Sequence, residues 1–362
     1  MKKILYFVLS LVLCVGIGAS AFAIYKSIEP KAPTTQNGDA SVNDGEGDAT
    51  DFKDPVEDSS GNDSNNGQTE LTPPENEISY IAEGMEMLAG ASVYMGEDSS
   101  VDPAIRFTCL VDNKLKDEVD ADKNKSFAIL AAPLDYFDAV NPDATTYIDW
   151  VNAFADAGKT VILSVYDDYG TYNDTTSYIR LTVANVMYNN MNRKFVAMGV
   201  LVDNSGSTPV YKYSAMPAGT TYRTNARSVA YVSGAALNAY ALGEANFSEE
   251  QAAKLRTYID MAIDKVNGLS EHTPNGDMPV VTITNGTNLT LPLNYSHTIE
   301  GSFTPSDLDI PIRFVSSNED VATVSALGVI HTRGFGNATI SVYVAGEVYT
   351  VTLSCSSNVQ FA

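Results

Sequence analysis

Phe314-Val315-Ser316-Ser317-Asn318-Glu319-Asp320-Val321-Ala322-Thr323-Val324 is the stretch on which the fold reading turns. Its Ser-Ser-Asn-Glu-Asp run makes a polar turn between two apolar, β-branched runs, and Val321 and Val324 are read as pointing inward. The pattern continues through Gly328-Val329-Ile330, where Gly328 supplies a hairpin position needing positive φ. It closes with Gly334-x-Gly336-Asn337-Ala338-Thr339-Ile340.

Working outward from this run, alternating strands are predicted at Val280 to Ile283, Asn288 to Leu293, His297 to Phe303, Arg313 to Ser316, Ala322 to Ser325, Ala338 to Val344 and Val348 to Leu353. So many short strands within about 75 residues predict a β-sandwich. The segment resembles the bacterial immunoglobulin-like domain of group two, as found in intimin- and invasin-type surface proteins. That resemblance implies a spacer or adhesion module on an exported protein. One departure is Phe314, where the family usually carries Trp; the core position stays aromatic but loses an indole donor.

Upstream of the Thr273-Pro274-Asn275-Gly276 linker, residues 80–270 are expected to form a β-rich central domain with two or three helices, giving a mainly β chain that ends in the immunoglobulin-like sandwich at 277–356. Strands are predicted at Ala91 to Met95, Ile105 to Val111, Ser126 to Ala132, Val161 to Tyr166, Tyr178 to Val186, Phe195 to Val202 and Val210 to Tyr213, with a hairpin at Asn204-Ser205-Gly206-Ser207. The clearest helix starts at Ser248, where Ser248 and Gln251 make a capping box and Ala252, Leu255, Ile259, Ala262, Ile263 and Val266 share one face. A second runs from Asn225 to Leu242 and a shorter one covers Thr146 to Ala157. The helices read as packing elements without ligating side chains at i and i+4. Ala91-Ser92-Val93, Ile105-Arg106-Phe107-Thr108, the Ala-Pro-x-Asp-Tyr core of Ile129 to Tyr136, Asn192-Arg193-Lys194-Phe195-Val196-Ala197 and Ala226-Arg227-Ser228-Val229 together resemble an uncharacterised module of secreted, clostridial-type Firmicutes surface proteins. No enzymatic activity comes with that resemblance.

The N-terminus reads as a signal peptide over residues 1–23: Met1-Lys2-Lys3, an apolar run from Ile4 to Gly18, then Ala21-Phe22-Ala23 as cleavage site. An uncleaved membrane anchor is the alternative, and it is the one route to a membrane that the sequence offers. Residues 24–79 are rich in Asp, Glu, Ser, Asn, Gly, Thr and Pro, the composition of a disordered acidic linker or solvated stalk. A net charge of −23 argues against nucleic acid. With Cys14 inside the signal, Cys109 and Cys355 remain, and they read as small buried hydrophobes in different domains.

Chemistry is sparse. The three histidines are His272 in the linker and His297 and His331 in the sandwich, which excludes a Ser-His-Asp or Cys-His arrangement within the central domain. No zinc, nucleotide or α/β-hydrolase motif occurs, and no cofactor is called for. Asp135, Asp138, Asp149, Asp167, Asp168 and Asp174 could supply a glycosidase pair only if two of them converge in a pocket. Asp120, Asp122, Asn124 and Ser126 echo a calcium loop, but Lys125 replaces its turning Gly and Ala131 its bidentate Glu. The candidate ligand-binding residues are Tyr166, Asp167, Asp168, Tyr169 and Tyr172, joined by Trp150, a set of stacking rings and acceptors suited to a surface glycan, a cell-wall polymer or a host or bacterial surface protein. The plainer account is a hairpin whose tyrosines cover a sheet edge. The sequence thus favours a non-catalytic surface protein, with a carbohydrate-binding accessory protein as the alternative and a glycoside hydrolase behind it.

Overall fold

The computed structural model describes residues 80–95, 103–142, 148–166 and 168–357. The predicted signal segment, the acidic linker and Asp167 lie outside the described residues. The chain is mainly β, as expected. Strands β1 (Ile81–Met87), β2 (Ser92–Tyr94), β3 (Ala104–Asp112), β4 (Lys125–Pro133), β5 (Ile162–Tyr166), β6 (Gly170–Asn173), β7 (Thr176–Val183), β8 (Phe195–Asp203) and β9 (Val210–Ala215) build one nine-stranded sheet. Its order is β5-β4-β8-β9-β1-β3-β7-β6, with β2 on β3. All pairs are antiparallel except β1 with β9.

β4 and β8 are buried on both faces, which is why their sequences run apolar without alternation. Phe127, Ile129 and Ala131 of β4 enter a large core on one face, while Ala128, Leu130 and Ala132 enter a second core on the other. That second core is roofed by α2 (Leu134–Val140) and α3 (Trp150–Asp156), whose Phe137, Trp150 and Phe154 pack ring against ring with centroids 4.8–6.0 Å apart. The large core is covered by α4 (Val229–Ala241) and α5 (Glu249–Val266). The α5 capping box forms as the sequence predicts, with the Gln251 N–H donating to Ser248 Oγ at 3.2 Å and the Ser248 N–H to Gln251 Oε1 at 2.9 Å.

Besides β6, which lies in the run read as a hairpin and pairs with β7, not with β5, three elements of this part were not expected. β1, at the centre of the sheet, is hidden in sequence because Glu83, Gly84 and Glu86 interrupt the alternation of Ala82, Met85 and Met87; Gly84, at φ +82°, makes a bulge where the β1–β9 register shifts. α1 (Asn113–Ala121) carries only Leu115 and Val119 toward the core among charged residues. α2 follows directly on β4.

The C-terminal strands are β10 (Val280–Ile283), β11 (Asn288–Leu291), β12 (Ser296–Thr298), β13 (Gly301–Thr304), β14 (Ile312–Ser316), β15 (Ala322–Val324), β16 (Val329–Thr332), β17 (Gly336–Val344) and β18 (Glu347–Cys355). The predicted run His297 to Phe303 divides into β12 and β13, and Val329–Thr332 is an additional strand. Sheets β11-β18-β17-β14 and β12-β16-β15 enclose a common core of Leu291, Val321, Ala322, Ile330, Ala338, Ile340, Val351 and Leu353. Gly328 has φ +75°, and a Cβ there would meet the Phe314 ring at 2.9 Å, so the hairpin and the aromatic position specify one another.

The sandwich is docked on α4. Leu308, Ile310, Val342, Val344 and Ala345 belong to the large core. Asn238 of α4 bonds across the joint twice: its Nδ2 donates to the Pro311 carbonyl at 3.2 Å and its Oδ1 accepts from the Gly346 N–H at 2.9 Å. Arg313 makes a two-pronged pair with Glu244, at 2.5 and 2.8 Å, and Lys194 reaches Asp309 at 3.1 Å. Gly234 leaves room for the contact, since a Cβ there would lie 2.7 Å from Ile310 and 3.2 Å from Pro311. Gly234→Leu therefore overpacks the joint at a cost of about 1–3 kcal/mol. The expected result is cleavage of residues 270–277 by a dilute protease about tenfold faster or more; an unchanged rate would show that the joint does not depend on this approach.

Candidate functional site

The predicted tyrosine patch sits at a seam. β5 and β6 are the two ends of the sheet order yet are consecutive in sequence, so the short connection after Tyr166 bridges the two edges of a curled sheet. Tyr166 and Tyr169 pack onto the large core from this seam. The Tyr169 ring meets Phe127 edge-on at 6.0 Å, carries Lys116 Nζ 4.7 Å above its face and donates its hydroxyl to Asp120 Oδ1 at 3.1 Å. Burial pushes the Tyr166 phenol well above its ordinary pKa. Gly170 leaves room beside them for the Tyr178 ring, which a Cβ there would meet at 1.9 Å and push aside.

Of the six residues proposed to bind, Tyr166 and Tyr169 come together at the seam, with Tyr172 at 53% exposure and Asp168 exposed nearby in sequence. Trp150 does not join them. It is 1% exposed in the second core, packed on Phe137, Phe154 and Tyr222, and so cannot stack on a ligand at the surface. The sequence signal for this was available: Trp150, Phe154 and Val151 head an amphipathic turn after the capping residue Asp149.

The candidate carboxylates are engaged separately. Asp135 holds Arg193 through two hydrogen bonds of 3.0 and 2.7 Å. Asp138 accepts from Arg223 Nε at 2.8 Å. Asp149 caps α3 and accepts the Tyr213 hydroxyl at 3.1 Å. Asp174 is exposed. In the calcium-like run, Asp120 bridges Lys116 at 2.6 Å and Asp122 accepts the Asn124 N–H at 3.0 Å, so these side chains shape the turn into β4. Cys109 and Cys355 are buried free thiols in different cores, and burial pushes Cys109 up to about 12.

The most organised polar cluster is one the sequence reading missed. Asp260 and Asp264 lie at i and i+4 on α5, contrary to the expectation that no helix carries such a pair, and His272 from the linker joins them with ligand atoms within 4.8 Å. Both carboxylates are essentially buried, at 2% and 1% exposure. Asp260 Oδ2 accepts the N–H groups of Asn275 and Gly276 at 3.2 and 2.9 Å, and its Oδ1 accepts that of Asp277 at 3.1 Å. Asp264 Oδ2 accepts the Thr273 N–H and faces His272 Nδ1, both at 2.9 Å. Asp-Asp-His is a donor set that could hold a metal ion, but backbone N–H groups already occupy the oxygens, and a cation would have to displace them. The arrangement is a clamp: α5 grips the segment that leads into the sandwich. Its sequence signal was an acidic pair set directly among the apolar positions of α5.

Two outcomes follow from this geometry. Trp150→Ala should destabilise the chain by about 3–5 kcal/mol in thermal or denaturant unfolding, whereas exposed Tyr172→Ala should stay within about 0.5 kcal/mol; equal small effects would return Trp150 to the surface. The Asp264 carboxyl is held below its ordinary range, first by the Thr273 N–H and then by His272. A depressed folded-state pKa contributes stability that is present above the unfolded value of about 4 and lost as pH falls through the folded value. The stability advantage of the parent over Asp264→Asn should therefore be full near pH 6 and shrink below about pH 4; an advantage independent of pH would contradict the clamp.

No family model matches the sequence, and no curated protein matches it. Among solved structures, the S-layer protein SbsC domains 4 and 5 align at 10% identity over 45% of this chain and 65% of that one, with a TM-score of 0.19. The ICAM-5 D1–D4 ectodomain fragment aligns at 10% identity over 75% and 54%, TM-score 0.20. The BSP domain of a biofilm associated protein aligns at 13% identity over 78% and 53%, TM-score 0.20. The chain spans less than two thirds of the length of each of these three. Scores near 0.2 carry no inference, and the immunoglobulin-like description of the sandwich stands on its own strands and core.

Proposed function

We propose that the chain is a non-catalytic extracellular or cell-surface protein, with residues 80–270 as a β-rich module and residues 277–356 as a bacterial immunoglobulin-like domain of group two that serves spacing and adhesion. The signal segment 1–23 exports it, and the acidic stretch 24–79 acts as a stalk. The observation that carries this reading is the joint on α4. Core side chains, the Asn238 bonds and the Arg313–Glu244 pair hold the sandwich at one angle, and the clamp on residues 272–277 removes slack from the connection. A module that spaces or displays a contact surface needs that stiffness, because a freely swinging one spends binding free energy on becoming ordered.

The separate engagement of Asp135, Asp138 and Asp149 supports the non-catalytic half of the proposal, since a glycosidase needs two carboxylates facing one sugar. Among the described residues, no helix is long and apolar enough to cross a membrane. The carbohydrate-binding alternative in its predicted form, a row of Trp150, Tyr169 and Tyr172, loses its tryptophan to the core.

The test is topological. In cells making the full chain, the protein should be found in the medium or be digested by protease added to intact cells, and N-terminal sequencing of the mature form should begin at Ile24 if the signal is cut. Microspheres coated with the purified chain should adhere to wall or host-surface preparations more than albumin-coated ones. Full protection from added protease inside intact cells would overturn the proposal.

A further inference from the structure

The end of the sandwich away from the joint carries a shallow groove on the outer face of the β11-β18-β17-β14 sheet. The β17–β18 turn at Ala345 and Gly346 sits on α4, so the opposite ends of these strands, around Asn337 and Ser354, lie farthest from the docking helix. There Asn288 and Thr290 of β11 stand beside Thr352 and Ser354 of β18, which stand beside Thr339 and Asn337 of β17. Ser317 completes the rim. The floor between them is the peptide backbone of Leu289, Ala338 and Leu353, whose side chains turn the other way into the sandwich core.

Three properties of the groove select a ligand chemistry. First, the lining holds no charged residue, although 19% of the chain is charged and its net charge is −23. A charged polymer finds no counter-charge there; a neutral one loses nothing. Second, the hydroxyls of Thr290, Thr339 and Ser354 and the amide of Asn337 make no side-chain hydrogen bond to described residues, whereas Thr352 is already tied to the Thr287 carbonyl and Asn288 Oδ1 at 3.1 and 2.6 Å. A row of uncommitted hydroxyl and amide groups, each both donor and acceptor, matches a ligand rich in hydroxyls. Third, Phe335, two residues before Asn337, is 60% exposed. Its neighbours fix the backbone that presents it: a Cβ at Gly334 would lie 2.5 Å from the Asp320 carbonyl oxygen, and Gly336 has φ +137°. An aromatic ring open to water two residues along the chain from the groove's Asn337 offers a flat face for the C–H side of a sugar ring.

We infer that this groove is a contact site for a neutral polysaccharide, with Thr290, Asn337, Thr339 and Ser354 bonding to sugar hydroxyls and Phe335 stacking at the rim. The inference rests on the surface role proposed above and gives it a ligand class. It also moves the expected contact from the tyrosine seam of the large sheet to the far end of the sandwich.

The experiment is an array of soluble neutral oligosaccharides built on glucose, galactose, mannose and N-acetylglucosamine, with heparin and polygalacturonate as anionic controls, probed with the purified full chain. At least one neutral series should retain the protein, and retention should persist at about 0.5 M salt, where charge attraction is screened within a few ångströms. Phe335→Ala and the double variant Asn337→Ala with Thr339→Ala should each weaken retention at least tenfold while circular dichroism and melting stay those of the parent. A blank neutral array, binding confined to the polyanions, or retention unchanged in folded variants would overturn the inference. A blank array with protease-accessible protein on intact cells would remove the ligand class and leave the surface reading standing.

Discussion

Everything in this molecule leans on α4, a helix with almost no solvated side. Ten of its 13 residues are buried. Val229, Val232, Ala236 and Leu237 belong to the large core, α5 lies along it, and Gly234 and Asn238 meet the sandwich. Its small residues are the price of that position: alanine, glycine and serine let three bodies approach one backbone closely. The cost is a helix with little stripe of its own, which is stable because its surroundings are. Asn238 is the polar exception, and both ends of its amide are used across the joint.

The same logic explains how one sheet supports two cores. β4 and β8 run through the middle of the β5-to-β9 half with apolar residues on both faces, α2 and α3 on one side and α4 and α5 on the other. Farther along, β3 and β7 alternate buried and half-exposed residues. The sheet is a layered α/β arrangement at one end and a one-sided β surface at the other, although nearly all its pairings are antiparallel.

What the sequence made legible depended on whether a residue's role was local. Ser248 and Gln251 announce a helix start because a capping box is completed within four residues, and Gly328 announces a turn for the same reason. β1 escaped because its partners, β3 and β9, lie far along the chain and its own pattern is broken by Gly84 and two glutamates. Trp150 was misplaced because a lone tryptophan beside acidic residues reads equally well as a stacking ring or as a core anchor; only the approach of Phe137, Phe154 and Tyr222 decides. The clamp was only half legible: its acidic pair stands among the apolar positions of α5, but the partners of that pair do not show. Asp260 and Asp264 are bonded mainly to backbone N–H groups of residues 273–277, and backbone donors leave no mark in side-chain sequence.

The seam between β5 and β6 bears on the order in which the chain can fold. Two strands adjacent in sequence lie at opposite edges of the sheet, so they cannot nucleate it as a hairpin would. β1, the first strand of the sheet to be synthesised, pairs in parallel with β9, the last. The sheet is therefore completed only once its whole sequence is available, and its central pairing is also its most distant one. Such a topology folds slowly. Under the export proposed above, that delay is useful, because the pairing that would lock the sheet in place waits for the final strand.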